Sequence, residues 1–205
     1  MNEAVIINKL PLTVPDDRIF MRLGRYRHHA EISDVQMKHF TQMIAEGKKL
    51  CNLTGSWLAV PIISNDGTTV TIEGGDTLVS AGLATLLEDS AMVLLFAVTA
   101  GAEISQAALA ATEVGRGSDA LVLDAVGGEA ADAACGWLQD YARQQLKRRG
   151  LLVAERRFSP GYGGLSLDTQ KMFFRLLNLD KLGMRLLESG IMLPEKSVTA
   201  IAGIV

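Results

Sequence analysis

The residues best suited to chemistry lie together in segment 156–164, which reads RRFSPGYGG. Pro160 followed by Gly161 favours a turn in which the glycine takes a positive φ, and the two glycines after Tyr162 would leave the backbone open to a ligand. Arg157 offers a planar guanidinium suited to a carboxylate, and Tyr162 offers a ring with a polar tip. The segment therefore predicts a place where a ligand lies against the backbone, although an ordinary surface turn is the simpler interpretation of these residues alone.

A second set of candidate residues lies on a predicted helix between Asp124 and Trp137. Five residues share one helix face through their three- and four-residue spacings: Gly128, Ala131, Asp132, Cys135 and Gly136. This face has little side-chain bulk and one carboxylate, which would either pair with a neighbouring arginine or hold an ammonium group. The alternative is tight helix packing with Asp132 on the solvent side. Because each glycine costs a helix about 1 kcal/mol against alanine, Gly127 and Gly128 indicate packing, function or a break in the helix.

The elements that would position these residues follow from hydrophobic spacing and turn residues. Ser33 with Gln36 forms a capping-box pattern for a helix over 33–49, and a turn at 64–67 joins strands at 57–63 and 69–73 into a hairpin. The other predicted helices are at 78–87, from Gly101 to Val114, from an N-cap at Ser118 to Arg149, and from a cap at Ser166 to Asn178. The other predicted strands are at 92–99, 151–154, 184–187 and 197–204. Hairpins mixed with helices favour an α+β fold, with residues 1–205 forming one domain.

Composition limits the function. The net charge of −3 gives no basic field for nucleic acid, and the longest apolar stretch, 91–102, is too short to cross a bilayer. No signal peptide is visible at the N-terminus, and Cys51 and Cys135 stand far apart in apolar surroundings, so we expect a cytoplasmic protein with reduced thiols. Two cysteines are too few for an iron–sulfur cluster, and the three histidines lack metal-ligand spacing. Any redox function would therefore need a partner's electrons.

In their order along the chain, these segments resemble the C-terminal reactivation domain of cobalamin-dependent methionine synthase. That family carries an Arg-x-x-x-Gly-Tyr motif, which Arg157 to Tyr162 reproduce, and a long helix that residues 123–132 match. Further blocks are similar at Thr169 and Lys171, at 183–189, at Met192 with Pro194, and at 197–199. The resemblance covers residues 120–199. Over the N-terminal half it is confined to short stretches at 22–25 and 98–101.

The resemblance implies a C-shaped α+β domain with a twisted, mainly antiparallel sheet and flanking helices. It also implies a stand-alone component that binds S-adenosylmethionine and supports reductive methylation of cob(II)alamin. The cobalamin would be held by a separate or truncated methionine synthase, or by another corrinoid protein. A flavodoxin-like or other donor would supply one electron, and neither nucleic acid nor membrane would be a partner.

The family's functional residues carry over to six positions. Arg157 would bind the carboxylate of S-adenosylmethionine, the backbone at Ser159 and Gly161 would line the ligand, and Tyr162 would flank the sulfonium and face the corrinoid as the catalytic residue. Asp132 stands where the family has a glutamate that helps hold the amino group, and could act through water; Glu129, one turn earlier, is the substitute. The family's N-terminal aspartate could be matched by any of three residues, Asp16, Asp17 and Asp34.

Two departures from the family point to alternative functions. Gly163 stands where the family commonly has proline after the tyrosine, and residues 200–203 replace an aromatic cluster that the family places near the corrinoid. One alternative is a non-catalytic adaptor that docks on a corrinoid protein and shields its cofactor. Another is shared descent only, with the site reused for a different small ligand.

Overall fold

The fold is built around one mainly antiparallel sheet, seen in a computed structural model that describes residues 3–24 and 33–205. The strands of the described residues are β1 (Val5–Ile7), β2 (Thr54–Asn65), β3 (Thr69–Ile72), β4 (Thr77–Val79), β5 (Met92–Thr99), β6 (Val153–Phe158), β7 (Arg185–Leu186), β8 (Met192–Leu193) and β9 (Ser197–Ile204). The sheet has the order β4-β3-β2-β5-β9-β6, with β1 also paired to β2, while β7 and β8 form a separate two-stranded ribbon. Every pairing is antiparallel.

Helices cover both faces of this sheet. They are α1 (Asp16–Gly24), α2 (Asp34–Leu50), α3 (Ala81–Leu86), α4 (Glu103–Glu113), α5 (Gly117–Lys147) and α6 (Gln170–Leu177). The central strand β5 shows how the layers arise. Its Leu94, Phe96 and Val98 pack with α1, α2, α4 and α5 on one side, and its Val93 and Leu95 pack with α3 and α6 on the other. Burial on both faces explains why the sequence of β5 is a continuous apolar run rather than an alternating one.

Helix α5 is the longest element and carries half of the candidate site. Its 31 residues span about 46 Å. The helix is continuous through Gly127 and Gly128, so these glycines mark close packing rather than a break. A side chain at Gly127 would lie 3.0 Å from Cγ of Lys196, and one at Gly128 would lie 2.8 Å from Nη1 of Arg22.

The structure confirms most of the predicted elements. The strands predicted at 92–99 and 197–204 have those bounds, the hairpin of β2 and β3 is present, and Ser33 and Gln36 form the predicted capping box at the start of α2. Ser166 does cap a helical segment, since its side chain accepts a hydrogen bond from the amide of Asp168. That segment is a 3-10 turn over Leu167–Thr169, which leads directly into α6.

Three predictions of element bounds are wrong. Residues 77–79 form strand β4 instead of the start of a helix at 78, because they pair with β3, and Ser80 caps the shorter α3. Helix α5 begins at Gly117, so Ser118 lies inside its first turn and Arg116 holds the N-cap position. The strand predicted at 151–154 extends over Val153–Phe158, because pairing with β9 continues past the arginines.

Strands β1 and β8 and helix α1 are absent from the sequence predictions. In the described ranges, no helix combines the length and apolar character needed to cross a membrane.

Candidate functional site

Arg157 is positioned by an irregularity in β6. Val153 pairs with Ile204 and Arg157 with Ala202, so four steps along β6 match two along β9 and β6 bulges between them. A bulge leaves carbonyl groups without partners in the ladder, and a buried carbonyl needs a donor. Gln139 of α5 supplies it, since its Nε2 donates to the carbonyl oxygens of Ala154 and Glu155 at 3.0 and 3.1 Å. Arg143, one turn further along α5, also donates to the bulge.

The other end of the Gln139 amide reaches the guanidinium. Nη1 of Arg157 donates to Oε1 of Gln139 over 3.5 Å, a long hydrogen bond. Gln139 is buried, whereas Arg157 is exposed. The structure therefore places the accessible guanidinium of Arg157 over α5, with its Nη1 bonded to the buried amide of Gln139.

Replacing Gln139 with leucine should destabilise the fold by about 1–3 kcal/mol, because the bulge carbonyls lose a buried donor. Urea denaturation would measure this as a lower free energy of unfolding. Gln144→Leu is the matched control, since Gln144 is an exposed residue of the same helix, and should change stability by less than about 0.5 kcal/mol. Equal effects of the two substitutions would contradict this role for Gln139.

The turn after Arg157 is rigidly hydrogen-bonded. The amide of Tyr162 donates to the carbonyl of Ser159 over 3.2 Å, which places Pro160 and Gly161 at the two central positions, and Gly161 has φ +89° as the sequence predicts. The amide of Gly161 donates to the carbonyl of Leu165, and the amide of Leu165 donates to that of Tyr162. The carbonyl of Ser159 and the amide of Gly161 are thus already hydrogen-bonded within the turn.

A second set of contacts fixes the turn to α3. Oγ of Ser80, which also caps α3, donates to the carbonyl of Gly163 over 2.8 Å. The ring of Phe158 fills the space where a side chain at Gly163 would lie, and Gly163 has φ +53°. Proline cannot adopt that φ. The departure from the family's proline is therefore a requirement of this turn.

Tyr162 projects from this fixed backbone into solvent. Its side chain is 74% exposed. An aromatic ring held on a rigid turn can stack on a ligand or on a flat partner surface at small conformational cost.

The acidic residues of α5 are paired with α1, a contact not predicted from sequence. Nη2 of Arg22 lies 2.5 Å from Oδ2 of Asp132, and Nε of Arg22 lies 3.3 Å from Oε2 of Glu129. Arg18 is 3.9 Å from Glu129, which is buried, whereas Asp132 is about half exposed. Of the two roles that the sequence allows for Asp132, the structure shows pairing with an arginine.

Arg157 and Asp132 lie in one neighbourhood, with Cys135 between them on α5. Burial raises the pKa of the Cys135 thiol to about 11, Arg157 lowers it and Asp132 raises it, so both charges act on this thiol. Asp132 and Gln139 are seven residues apart, which is about 10 Å along the helix axis. The guanidinium of Arg157 and the carboxylate of Asp132 therefore lie beside the same stretch of α5 without contacting each other.

The three N-terminal aspartates are placed as follows. Asp16 lies in the first turn of α1 and pairs with Lys48 of α2. Asp17 follows it in α1, and Asp34 opens α2.

Two cavities lie away from these residues. One, of about 720 Å³, lies between α4, the start of α5 and the β7–β8 ribbon. Its wall includes Leu109, Leu121 and Leu193, with the ion pair of Lys196 and Asp124. The other, of about 640 Å³, lies between β4 and the start of α6. Neither wall includes the predicted site residues, so the candidate site lies outside both of these cavities.

Comparison with known proteins relates this chain by fold. No protein-family model and no curated protein matches its sequence. Among solved structures, a crystal structure described as the MetH reactivation domain bound to AdoHcy is similar, with a TM-score of 0.68 and 16% identity. The match covers 98% of this chain and 78% of that chain. The likeness confirms the predicted class, one domain of helices and antiparallel sheet with the fold of that reactivation domain.

Proposed function

We propose that this chain binds S-adenosylmethionine and supports reductive methylation of cob(II)alamin held by a separate methionine synthase or other corrinoid protein. The observation that carries the proposal is the placement of Arg157. It lies just before a rigid turn that exposes Tyr162, and it bonds to Gln139 of α5, the helix that carries an acidic pair. The similar reactivation domain is described as bound to AdoHcy, the product that S-adenosylmethionine leaves after methyl transfer.

The guanidinium is suited to the carboxylate of the ligand. Arg157 is exposed, keeps free faces of its planar fork beyond the one long bond to Gln139, and needs no conformational change of the strand to accept a carboxylate. Bound there, the ligand's amino-acid part would lie along α5 towards Asp132. Since Asp132 is about 10 Å along the helix from Gln139, to which Arg157 is bonded, the ammonium would reach Asp132 through a water molecule.

The adenosyl and sulfonium parts would lie on the turn. Gly164 is open where a side chain would lie, whereas Leu167 and Phe158 cover those positions at Gly161 and Gly163, and Tyr162 stands beside this exposed backbone. The chain's task is positional, because methyl transfer needs the sulfonium methyl in line with its acceptor. The partner's corrinoid would supply the methyl-accepting cobalt, and a flavodoxin-like or other donor one electron.

Calorimetric titration with S-adenosylmethionine tests the first half of the proposal. Saturable binding with about one ligand per chain is expected. An absence of saturable heat at millimolar ligand would refute it. Reductive methylation of a cob(II)alamin-loaded carrier protein, with a reductant present, tests the second half.

Tyr162→Ala should lower the rate of methyl transfer about tenfold while changing affinity for S-adenosylmethionine much less, because a mispositioned methyl group slows the reaction more than it weakens binding. The tyrosine is exposed, so stability should stay within about 0.5 kcal/mol. Tyr162→Phe is the control and should retain most of the rate. Equal rates for the alanine variant and the unaltered protein would remove Tyr162 from the proposed site.

A second candidate function is a non-catalytic adaptor that docks on a corrinoid protein. The residues at the position of the family's aromatic cluster favour it. Ala200, Ile201 and Ala202 are fully buried in β9 and cannot reach a partner's cofactor. Docking on a corrinoid protein without any binding of S-adenosylmethionine would select this function.

A further inference from the structure

The acidic pair of α5 is occupied by a side chain of this chain itself. Arg22, in the last turn of α1, donates to Asp132 through Nη2 and to Glu129 through Nε, at 2.5 and 3.3 Å. Asp132 is the carboxylate that the proposed function assigns to the ligand's ammonium group, through a water molecule.

The surrounding residues hold the guanidinium of Arg22 in place. Helix α1 is anchored by Ile19 and Leu23, which are buried in the core with α5. Nη1 of Arg22 lies 2.8 Å from the position that a side chain at Gly128 would take, so the absence of a side chain there makes room for it. Burial lowers the pKa of Arg22, but Asp132 and Glu129 outweigh it and raise the pKa above its ordinary value. The arginine is therefore a permanent cation in this place.

We infer that Arg22 competes with the ligand's ammonium group for Asp132 and so determines which groups of the ligand contribute to its affinity. This inference rests on the proposed function. While Arg22 is bonded to Asp132, its guanidinium repels a second cation near this half-exposed carboxylate and so weakens the water-mediated contact of the ammonium. Competition of this kind lowers apparent affinity by the fraction of time that the site is filled. The chain then binds chiefly through the adenosyl group and the carboxylate, and gains little from the ammonium.

The inference is tested with two thioethers that differ in the amino-acid part. S-adenosylhomocysteine carries the ammonium and carboxylate, and 5′-methylthioadenosine carries neither. Arg22→Gln should tighten binding of S-adenosylhomocysteine about tenfold, equivalent to one charged contact regained, and change the dissociation constant of 5′-methylthioadenosine less than twofold. Arg18→Gln is the matched control, because Arg18 lies on the same helix near Glu129 but does not contact Asp132. It should change neither constant more than twofold.

The outcomes separate this inference from the proposed function. Unchanged or weaker binding of S-adenosylhomocysteine by Arg22→Gln, with saturable binding by the unaltered protein, overturns the competition alone. Equal tightening for both thioethers also overturns it, because it would show a general change in access to the site. If neither the unaltered protein nor the Arg22→Gln variant binds S-adenosylhomocysteine, both proposals are overturned. If the melting temperature shows that Arg22→Gln does not fold, Arg22→Met keeps the aliphatic stem and carries the same expectation.

Discussion

Replacing Arg157 with alanine is expected to weaken binding of S-adenosylmethionine by about 10- to 100-fold. A hydrogen bond to a charged group contributes about 1.5–3 kcal/mol, and a carboxylate bound by a guanidinium loses such contacts together when the arginine is removed. Arg157 is the one arginine bonded to Gln139 beside the turn, so no other described side chain stands in the same place. Calorimetric titration of the variant and the unaltered protein would measure the change, and methyl transfer should fall at least as far.

The control is Arg156→Ala, which removes an equal charge from the next residue of the same strand. Arg156 is also exposed, and its loss should change the affinity less than threefold. Both variants should unfold within about 0.5 kcal/mol of the unaltered protein, because exposed side chains contribute little to stability. If both arginines weaken binding equally, the effect is one of net charge and the assigned role of Arg157 fails.

Replacing Gly163 with alanine is expected to destabilise the protein by about 2–4 kcal/mol. About 1 kcal/mol comes from a positive φ, which alanine disfavours. The rest comes from overlap with the ring of Phe158, which is itself packed against Gly82 at the start of α3. The free energy of unfolding from urea denaturation measures the loss, and displacement of the turn should also weaken binding of S-adenosylmethionine.

Gly164→Ala separates these two causes. Gly164 has φ +82°, but a side chain there would meet open space. Its substitution should therefore cost about 1 kcal/mol, for the backbone alone. In the Phe158→Leu background the extra cost of Gly163→Ala should shrink, since the smaller side chain can give way. Equal costs at Gly163 and Gly164 would show that Phe158 does not fix the turn.

Sequence analysis predicts best the strands that are mostly buried. The strands β5 and β9 are correct at both ends, and both consist mainly of buried residues that are apolar or small. Residue Leu78 shows the opposite case. The sequence predicts it as the start of the helix at 78–87, yet pairing with β3 makes it part of a strand, and tertiary pairing overrides local preference. The three-residue β1 is too short to carry a pattern.

The candidate site was predictable only where its residues are close in sequence. The positive φ of Gly161 follows from the Pro-Gly pair, and the face shared by Asp132 and Cys135 follows from helical spacing. Gln139 continues that face and could have been proposed from it. The contact of Arg22 with Asp132 joins residues 110 positions apart, and no local rule anticipates it.

Because β6 is an edge strand of the sheet, Arg157 has a second effect. In the described part of the chain, β6 pairs only with β9, so its other side presents backbone groups that could template pairing with another molecule. Exposed charged side chains on such a margin discourage intermolecular sheet growth. Glu155, Arg156 and Arg157 supply them here. The guanidinium proposed to hold a ligand thus also discourages association of molecules along this sheet edge, so an apolar residue at position 157 would favour such association.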